Sequence, residues 1–315
     1  MMNAMHGTLK IDHPAKQALE AALRACDGAI TPNEVAVSAC VYPPSSRPDD
    51  RSTWQANQHW GHRDTVAIYP ASVMKLFLLA VLADQRQNGQ IDCLAEDNRA
   101  AEAMIRESSN EATVYLLGRV TGSEDGSCVA PAALADWGRR RALVQEWFLA
   151  KGGEYEDISL LHATYQDSPY GRAQQARTPD NANKLTAVAG ARLMHDIAKA
   201  ELAGSAWMME LLDRQFQRQP DYENSEGDQV RGFLAEGLPP DVKVWSKAGH
   251  TSRVRHDLLY AELPEGVAFV LSVMTEGEWS SRNGKFLPEF ARAFHRAVID
   301  TNQTHQEKIS TGGTP

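Results

Sequence analysis

Between residues 72 and 86 (SVMKLFLLAVLADQR) apolar side chains fall on nearly every side of a helix, from Val73 through Leu82. A helix that is apolar all round is buried all round, which leaves its early cation, Lys75, in need of a use. Residues 14–28 (PAKQALEAALRACDG) show apolar positions at helical spacing, with Pro near the start and Gly at the end, and predict an amphipathic helix. Residues 34–43 (EVAVSACVYP) predict a short strand. Past residue 240, VKVWSKAG, HDLLYAEL and GVAFVLSVMT predict three consecutive strands, and PEG at 264–266 makes the last two a hairpin. LPEFARAFHRAVI at 287–299 predicts a closing helix. From 96 to 225 the pattern is almost wholly helical, broken by a loop at 161–183. A second loop, 44–61, carries Trp54 and Trp60, which either pack over the core or roof a cleft.

Strands at both ends and helices between them predict an α/β chain of the α+β type. An antiparallel sheet is flanked by the N- and C-terminal helices, with an all-helical lobe inserted. The boundaries expected are 14–86 and 226–301 for the sheet lobe and 87–225 for the helical lobe, with 302–315 as a disordered tail. A cleft between two such lobes is a favoured ligand site.

Composition narrows the function. The chain has 315 residues, 43% hydrophobic and 23% charged, which excludes wholesale disorder. A formal net charge of −9 argues against nucleic acid and against an anionic membrane surface as partners. No apolar run is long enough to span a bilayer, and no signal peptide is visible, so a cytoplasmic location is expected. Cys26, Cys40, Cys93 and Cys128 form no C-x-x-C pair, so neither a disulfide framework nor a zinc site is expected. No metal or organic cofactor is expected, and the chain is expected to be a monomer acting on a small molecule.

Ser72 and Lys75 open the buried helix one turn apart on one face. A Ser hydroxyl is a poor nucleophile until a base takes its proton, and a Lys amine desolvated among apolar residues shifts toward the neutral, basic form. A helix start also offers free N–H groups to a developing oxyanion. On this pair alone the plainer reading is that Ser72 caps the helix and Lys75 snorkels to water. Ser108-Ser109-Asn110 opens another apolar helix, and alone it is a capping segment. Lys247-Ala248-Gly249 ends a strand, and alone it is an edge Lys before a turn Gly.

The order S-x-x-K, S-x-N, K-x-G, each in its own structural context, resembles the β-lactamase and penicillin-binding protein superfamily, and class A β-lactamase-like serine hydrolases most of all. The resemblance covers most of the chain from about 14 to 300 and is strongest at the three motifs. It implies Ser72 as acyl-accepting nucleophile and Lys75, within hydrogen-bonding reach, as its proton acceptor. It implies Ser108 as proton relay to the leaving amine and Asn110 as holder of a substrate amide. Lys247 would attract a substrate carboxylate, with Gly249 and His250 lining the substrate site. The N–H groups of Ser72 and His250 would form the oxyanion hole. The substrate implied is a small amide or ester, β-lactams included.

The chain departs from that pattern in four places, one of which, a short spacing from Ser72 to Ser108, is neutral for function. Ser109 replaces an Asp that is largely structural. Ala248 removes a hydroxyl that helps bind the substrate carboxylate, and Arg253 or Arg255 is the candidate to compensate. No E-x-x-L-N run, which in the family carries the Glu that activates the deacylating water, occurs in 150–186. Asp167 is the carboxylate nearest the expected distance before Thr186. Acylation is therefore expected to be supported, and fast β-lactam hydrolysis is not. The alternative among enzymes is a true β-lactamase that hydrolyses β-lactam rings with an atypical deacylation residue, and the rival from another class is a non-catalytic binding or sensor protein that keeps the fold. Elsewhere, His62-Arg63-Asp64 reads as a chance match to a kinase tripeptide, and Arg139-Arg140-Arg141 as a solvated face. His256 and Asp257, adjacent on a strand, point to opposite faces and cannot share one triad with Ser72.

Overall fold

The computed structural model describes residues 13–42, 59–223 and 227–311. Among these, strands β1 (Val35–Tyr42), β2 (His59–His62), β3 (Lys243–His250), β4 (Val254–Glu262) and β5 (Ala268–Glu276) form one antiparallel sheet in the order β2-β1-β5-β4-β3. The helices are α1 (Pro14–Ala25), α2 (Met74–Gln87), α3 (Ala95–Arg106), α4 (Asn110–Thr121), α5 (Pro131–Arg141), α6 (Leu143–Leu149), α7 (Gly171–Gln175), α8 (Ala187–Ala198), α9 (Ser205–Leu212), α10 (Glu278–Arg282) and α11 (Phe286–Thr311). The fold is the α+β arrangement predicted, with helices from the two chain ends on one face of the sheet.

Alternation along the strands builds two cores. Val35, Val37 and Ala39 of β1, with Phe269, Leu271 and Val273 of β5, pack with α1 and with Phe286, Phe290 and Phe294 of α11. Ala36, Cys40 and Tyr42 of β1, with Leu258 and Tyr260 of β4, face the other way, into the core around α2. α2 is buried from Met74 to Ala83, as its all-round apolar pattern requires. Phe77 is fully buried there and its ring lies 4.7 Å from that of Phe148 of α6. Phe77→Ala is expected to cost roughly 3–5 kcal/mol in urea unfolding, the usual range for an emptied aromatic core site.

Four expectations change. α8 lies inside the stretch assigned to the helical lobe, yet it packs on β1, β4 and β5. Gly190 allows this approach, since a Cβ there would sit 2.6 Å from Leu258 Cδ2. α11 continues to Thr311, through most of the segment expected to be a disordered tail. No Pro or Gly interrupts 289–311. The end of the stretch read as a loop at 44–61 forms edge strand β2, where Trp60 stacks against His13 at 6.1 Å and packs on the core shared with α1, the first of the two uses expected for it. Trp54 lies outside the described residues. Arg141 is buried rather than solvated: it pairs with Asp125 and stacks 4.3 Å over Trp137, one turn before it on the same helix face.

No helix among the described residues is long and apolar enough to cross a membrane. The four cysteines are free.

Candidate active site

Ser72 sits in a short 3₁₀ turn, Ala71–Val73, that leads into α2. It is not a side-chain cap, and it lines a cleft of about 450 Å³ with Ser108, Ala248, Gly249, His250 and Arg255. Ala71, just before it, holds φ at +46°, and Ser108 across the cleft holds φ at +59°. A non-glycine residue in this region costs about 1–3 kcal/mol, and such strain persists only where the surroundings over-determine it.

The surroundings do so here through two buried amines. Lys75 is fully buried and does not snorkel. Its Nζ donates to Ser108 O at 2.5 Å, Ser108 Oγ at 3.2 Å and Asn110 Oδ1 at 2.8 Å. Burial pushes this amine down to about 7, with Glu111 opposing the shift. Lys247, also fully buried, donates to Ser108 Oγ at 3.1 Å, Gln229 Oε1 at 2.5 Å and Ala248 O at 2.8 Å. Burial, with Lys75 and Arg214 nearby, holds it well below the usual lysine range. Ser108 Oγ thus lies between both amines. The contact expected between Lys75 and Ser72 is replaced by this arrangement: the three donors of Lys75 are taken up by the second motif.

Gly249 brings the third-motif strand against the Ser72 turn. A Cβ at 249 would lie 3.0 Å from Pro70 O and 3.1 Å from both Ser72 N and Val73 N. His256 fixes the same turn from β4. Its Nε2 donates to Tyr69 O at 2.8 Å, while Nδ1 accepts from the Thr275 N–H at 3.1 Å. Burial pushes it down to about 4, so both bonds are made by the neutral ring. Asp257 points to the opposite face and accepts from the Leu234 N–H at 3.0 Å. It joins no triad.

Of the two arginines offered as a second cation, Arg255 lines the cleft and Arg253 does not. Arg255 Nε donates to Ser281 O at 2.9 Å, and its Nη2 lies 3.3 Å from His250 Nε2. Ser109 takes over the bracing of the second motif by capping α4: its Oγ accepts from the Ala112 N–H at 3.1 Å.

A second cleft of about 590 Å³ meets the first at Ser108 and is lined by Asn110, Glu111 and Gln166. The loop from 158 to 167 enters here. Thr164, buried, donates from Oγ1 to Asn110 Oδ1 at 3.0 Å. Asp167 is exposed and lines neither cleft, which removes it as the carboxylate of this loop. Tyr165 anchors the loop by donating to Asp125 Oδ2 at 2.8 Å.

Sequence reading missed Gln229, Arg214 and Thr164. Arg214 is fully buried and ties Ile105 O to Ser246 O. These residues lie in irregular segments, where no periodicity marks a side chain as buried. Only the mixture of polar residues with Gly in GDQVRG hinted at a built loop.

The family profile of the beta-lactamase enzyme family matches residues 51–298. The chain belongs to that family. Solved structures agree on the fold. A beta-lactamase from Chitinophaga pinensis is 14% identical with a TM-score of 0.61, over 91% of this chain and 98% of that one. A beta-lactamase from Sphaerobacter thermophilus is 16% identical with a TM-score of 0.58, over 92% and 98%. A PBP-A variant in acyl-enzyme complex with penicillin G is 14% identical with a TM-score of 0.60, over 91% and 96%. No curated protein matches in sequence. Family and fold together support a beta-lactamase-like hydrolase.

Proposed function

We propose that this beta-lactamase-family chain is a serine hydrolase that forms an acyl-enzyme at Ser72 on a small amide or ester, β-lactams included. The observation that carries the reading is the position of Ser108 Oγ, 3.2 Å from Lys75 Nζ and 3.1 Å from Lys247 Nζ, in the cleft that Ser72 lines.

Ser72 Oγ attacks the carbonyl carbon, and its proton passes to the neutral Lys75 amine, which in that form keeps only two N–H donors for the second motif and turns its lone pair toward Ser72. The carbonyl oxygen becomes an oxyanion, held by the N–H groups of Ser72 and His250. When the tetrahedral intermediate collapses, Ser108 gives its proton to the leaving amine and regains one from Lys75. Asn110 holds the amide on the acyl side. Lys247 and Arg255 attract a carboxylate on the leaving side, Arg255 standing in for the hydroxyl that Ala248 lacks.

Incubation with benzylpenicillin or an activated ester tests this by intact mass. One acyl group is expected on the wild type and none on Ser72→Ala; equal labelling of both proteins rules the reading out. Gly249→Ala is expected to slow acylation by roughly 10²-fold, the scale of a lost oxyanion donor, with little change in melting temperature. The acylation rate from stopped-flow and a thermal melt check it together.

A second reading, an acyl-enzyme that forms and persists, is favoured by one observation. Thr164 and Gln166 stand where the loop meets Asn110, and neither bears a carboxylate to activate water.

A further inference from the structure

Gln229 uses every hydrogen-bonding position of its amide and is only 3% exposed. Its Oε1 accepts from Lys247 Nζ at 2.5 Å and from the Ala248 N–H at 3.2 Å. Its Nε2 donates to Ile105 O at 2.8 Å and Arg106 O at 2.9 Å. These carbonyls end α3, where last-turn acceptors have no partner within the helix. One side chain therefore spans from the end of α3, just ahead of Ser108, to the strand that carries Lys247. The orientation of the amide is forced, because the α3 side meets only acceptors and the β3 side only donors. A carboxylate would match the β3 side and oppose the α3 side.

We propose that Gln229 is a positioning residue: its amide holds Lys247 and Ser108 in register across the cleft and gives Lys247 a neutral acceptor, leaving that amine without a bound carboxylate until substrate supplies one. This rests on the reading of Lys247 as the partner of a substrate carboxylate. Among the described residues the charged groups facing Lys247 are Lys75 on α2, Arg214 after α9 and Asp257 on β4. On the loop of Gln229 itself, Asp228 Oδ1 is engaged by the N–H groups of Val230 and Arg231. Among the described residues Asp257 is thus the one acidic group acting on Lys247, and Oδ2 of that residue is bound to the Leu234 N–H.

The test compares full-length wild type with Gln229→Glu and Gln229→Met. ¹³C-lysine NMR, with Lys247 assigned through Lys247→Arg, reads the midpoint of that amine. Gln229→Glu is expected to raise it by at least one pH unit, and Gln229→Met is not. Acylation by benzylpenicillin is then compared with acylation by its methyl ester. The preference for the free acid is expected to fall at least tenfold in Gln229→Glu at high pH and to recover at low pH, where the introduced carboxyl is protonated. In Gln229→Met it falls at every pH. An unmoved midpoint, or a preference equal to wild type across the pH range, overturns the proposal. Should the wild type itself take no acyl group, the reading of Ser72 fails, and the NMR midpoint still decides the part assigned to Gln229.

Discussion

Lys75→Met is expected to slow acylation of Ser72 by roughly 10²–10⁴-fold, the range that general-base catalysis contributes. The same amine sets the pH dependence of the wild type. Burial pushes Lys75 down to about 7, and only its neutral form accepts the proton of Ser72. Below that value the rate is expected to fall tenfold per pH unit; above it the rate levels off. Lys75→Met loses this limb. Stability supplies an independent check, with its own sign. The folded state lowers the pKa of Lys75 from 10.5 toward 7, so between these values the unfolded chain binds more protons than the folded one. The stability of the wild type relative to Lys75→Met therefore rises as pH goes from 7 toward 10.5. Urea titrations of both proteins at several pH values measure this. A wild-type acylation rate that stays flat from pH 5 to 9 sinks the assignment of Lys75 as base.

Strands β1, β3, β4 and β5 and the buried helix were legible because their patterns have a period, whereas β2 lies in a stretch read as a loop. β3, β4 and β5 each fall within a residue or two of the runs that predicted them, and α2 is buried all round as its apolar positions require. The three motifs were legible because each sits at the end of such an element. What escaped has no period to read. Gln229 and Arg214 act through side-chain bonds to backbone carbonyls far along the chain, at Ile105, Arg106 and Ser246. Arg141 looked like part of a charged face, yet it lies one turn from Trp137, and only the packed loop containing Asp125 makes its burial possible. The tail misled for the opposite reason. Its polar composition argues against a core, but a helix already nucleated by the packed half of α11 propagates at little cost.

The same pattern of contacts explains how the turn at Ala71 and the loop at Ser108 hold strain. Ala71 is pinned from both sides, by His256 on Tyr69 O and by Gly249 against the Ser72 N–H. Ser108 is pinned by both lysines and by the end of α3, which Gln229 and Arg214 tie to β3. Each catalytic candidate thus stands on an element end that a buried polar side chain from the other side of the cleft holds in place. A loss of any one of these ties is expected to show in rate before it shows in melting temperature.

Thr164→Glu is expected to turn a persistent acyl-enzyme into one that hydrolyses, with deacylation faster by roughly 10²–10⁴-fold. Acylation needs a base for Ser72, and the neutral form of Lys75 is the one proposed. Deacylation needs a base for water on the side of the loop from 158 to 167. There, Thr164 Oγ1 is committed to Asn110 Oδ1 at 3.0 Å, and that same oxygen accepts from Lys75 Nζ at 2.8 Å. Position 164 is thus one side chain away from the amine. A carboxylate introduced there gains the lysine as a counter-charge, which keeps it ionised against the desolvation of a buried site. Thr164→Gln controls for size and hydrogen bonding without adding a base. With benzylpenicillin, intact mass is expected to show a long-lived adduct on the wild type and on Thr164→Gln. On Thr164→Glu it is expected to show free enzyme with released penicilloate. If the wild type already clears its adduct as fast as Thr164→Glu does, another group activates the water. Glu111, which lines the same cleft, would then be the first residue to replace.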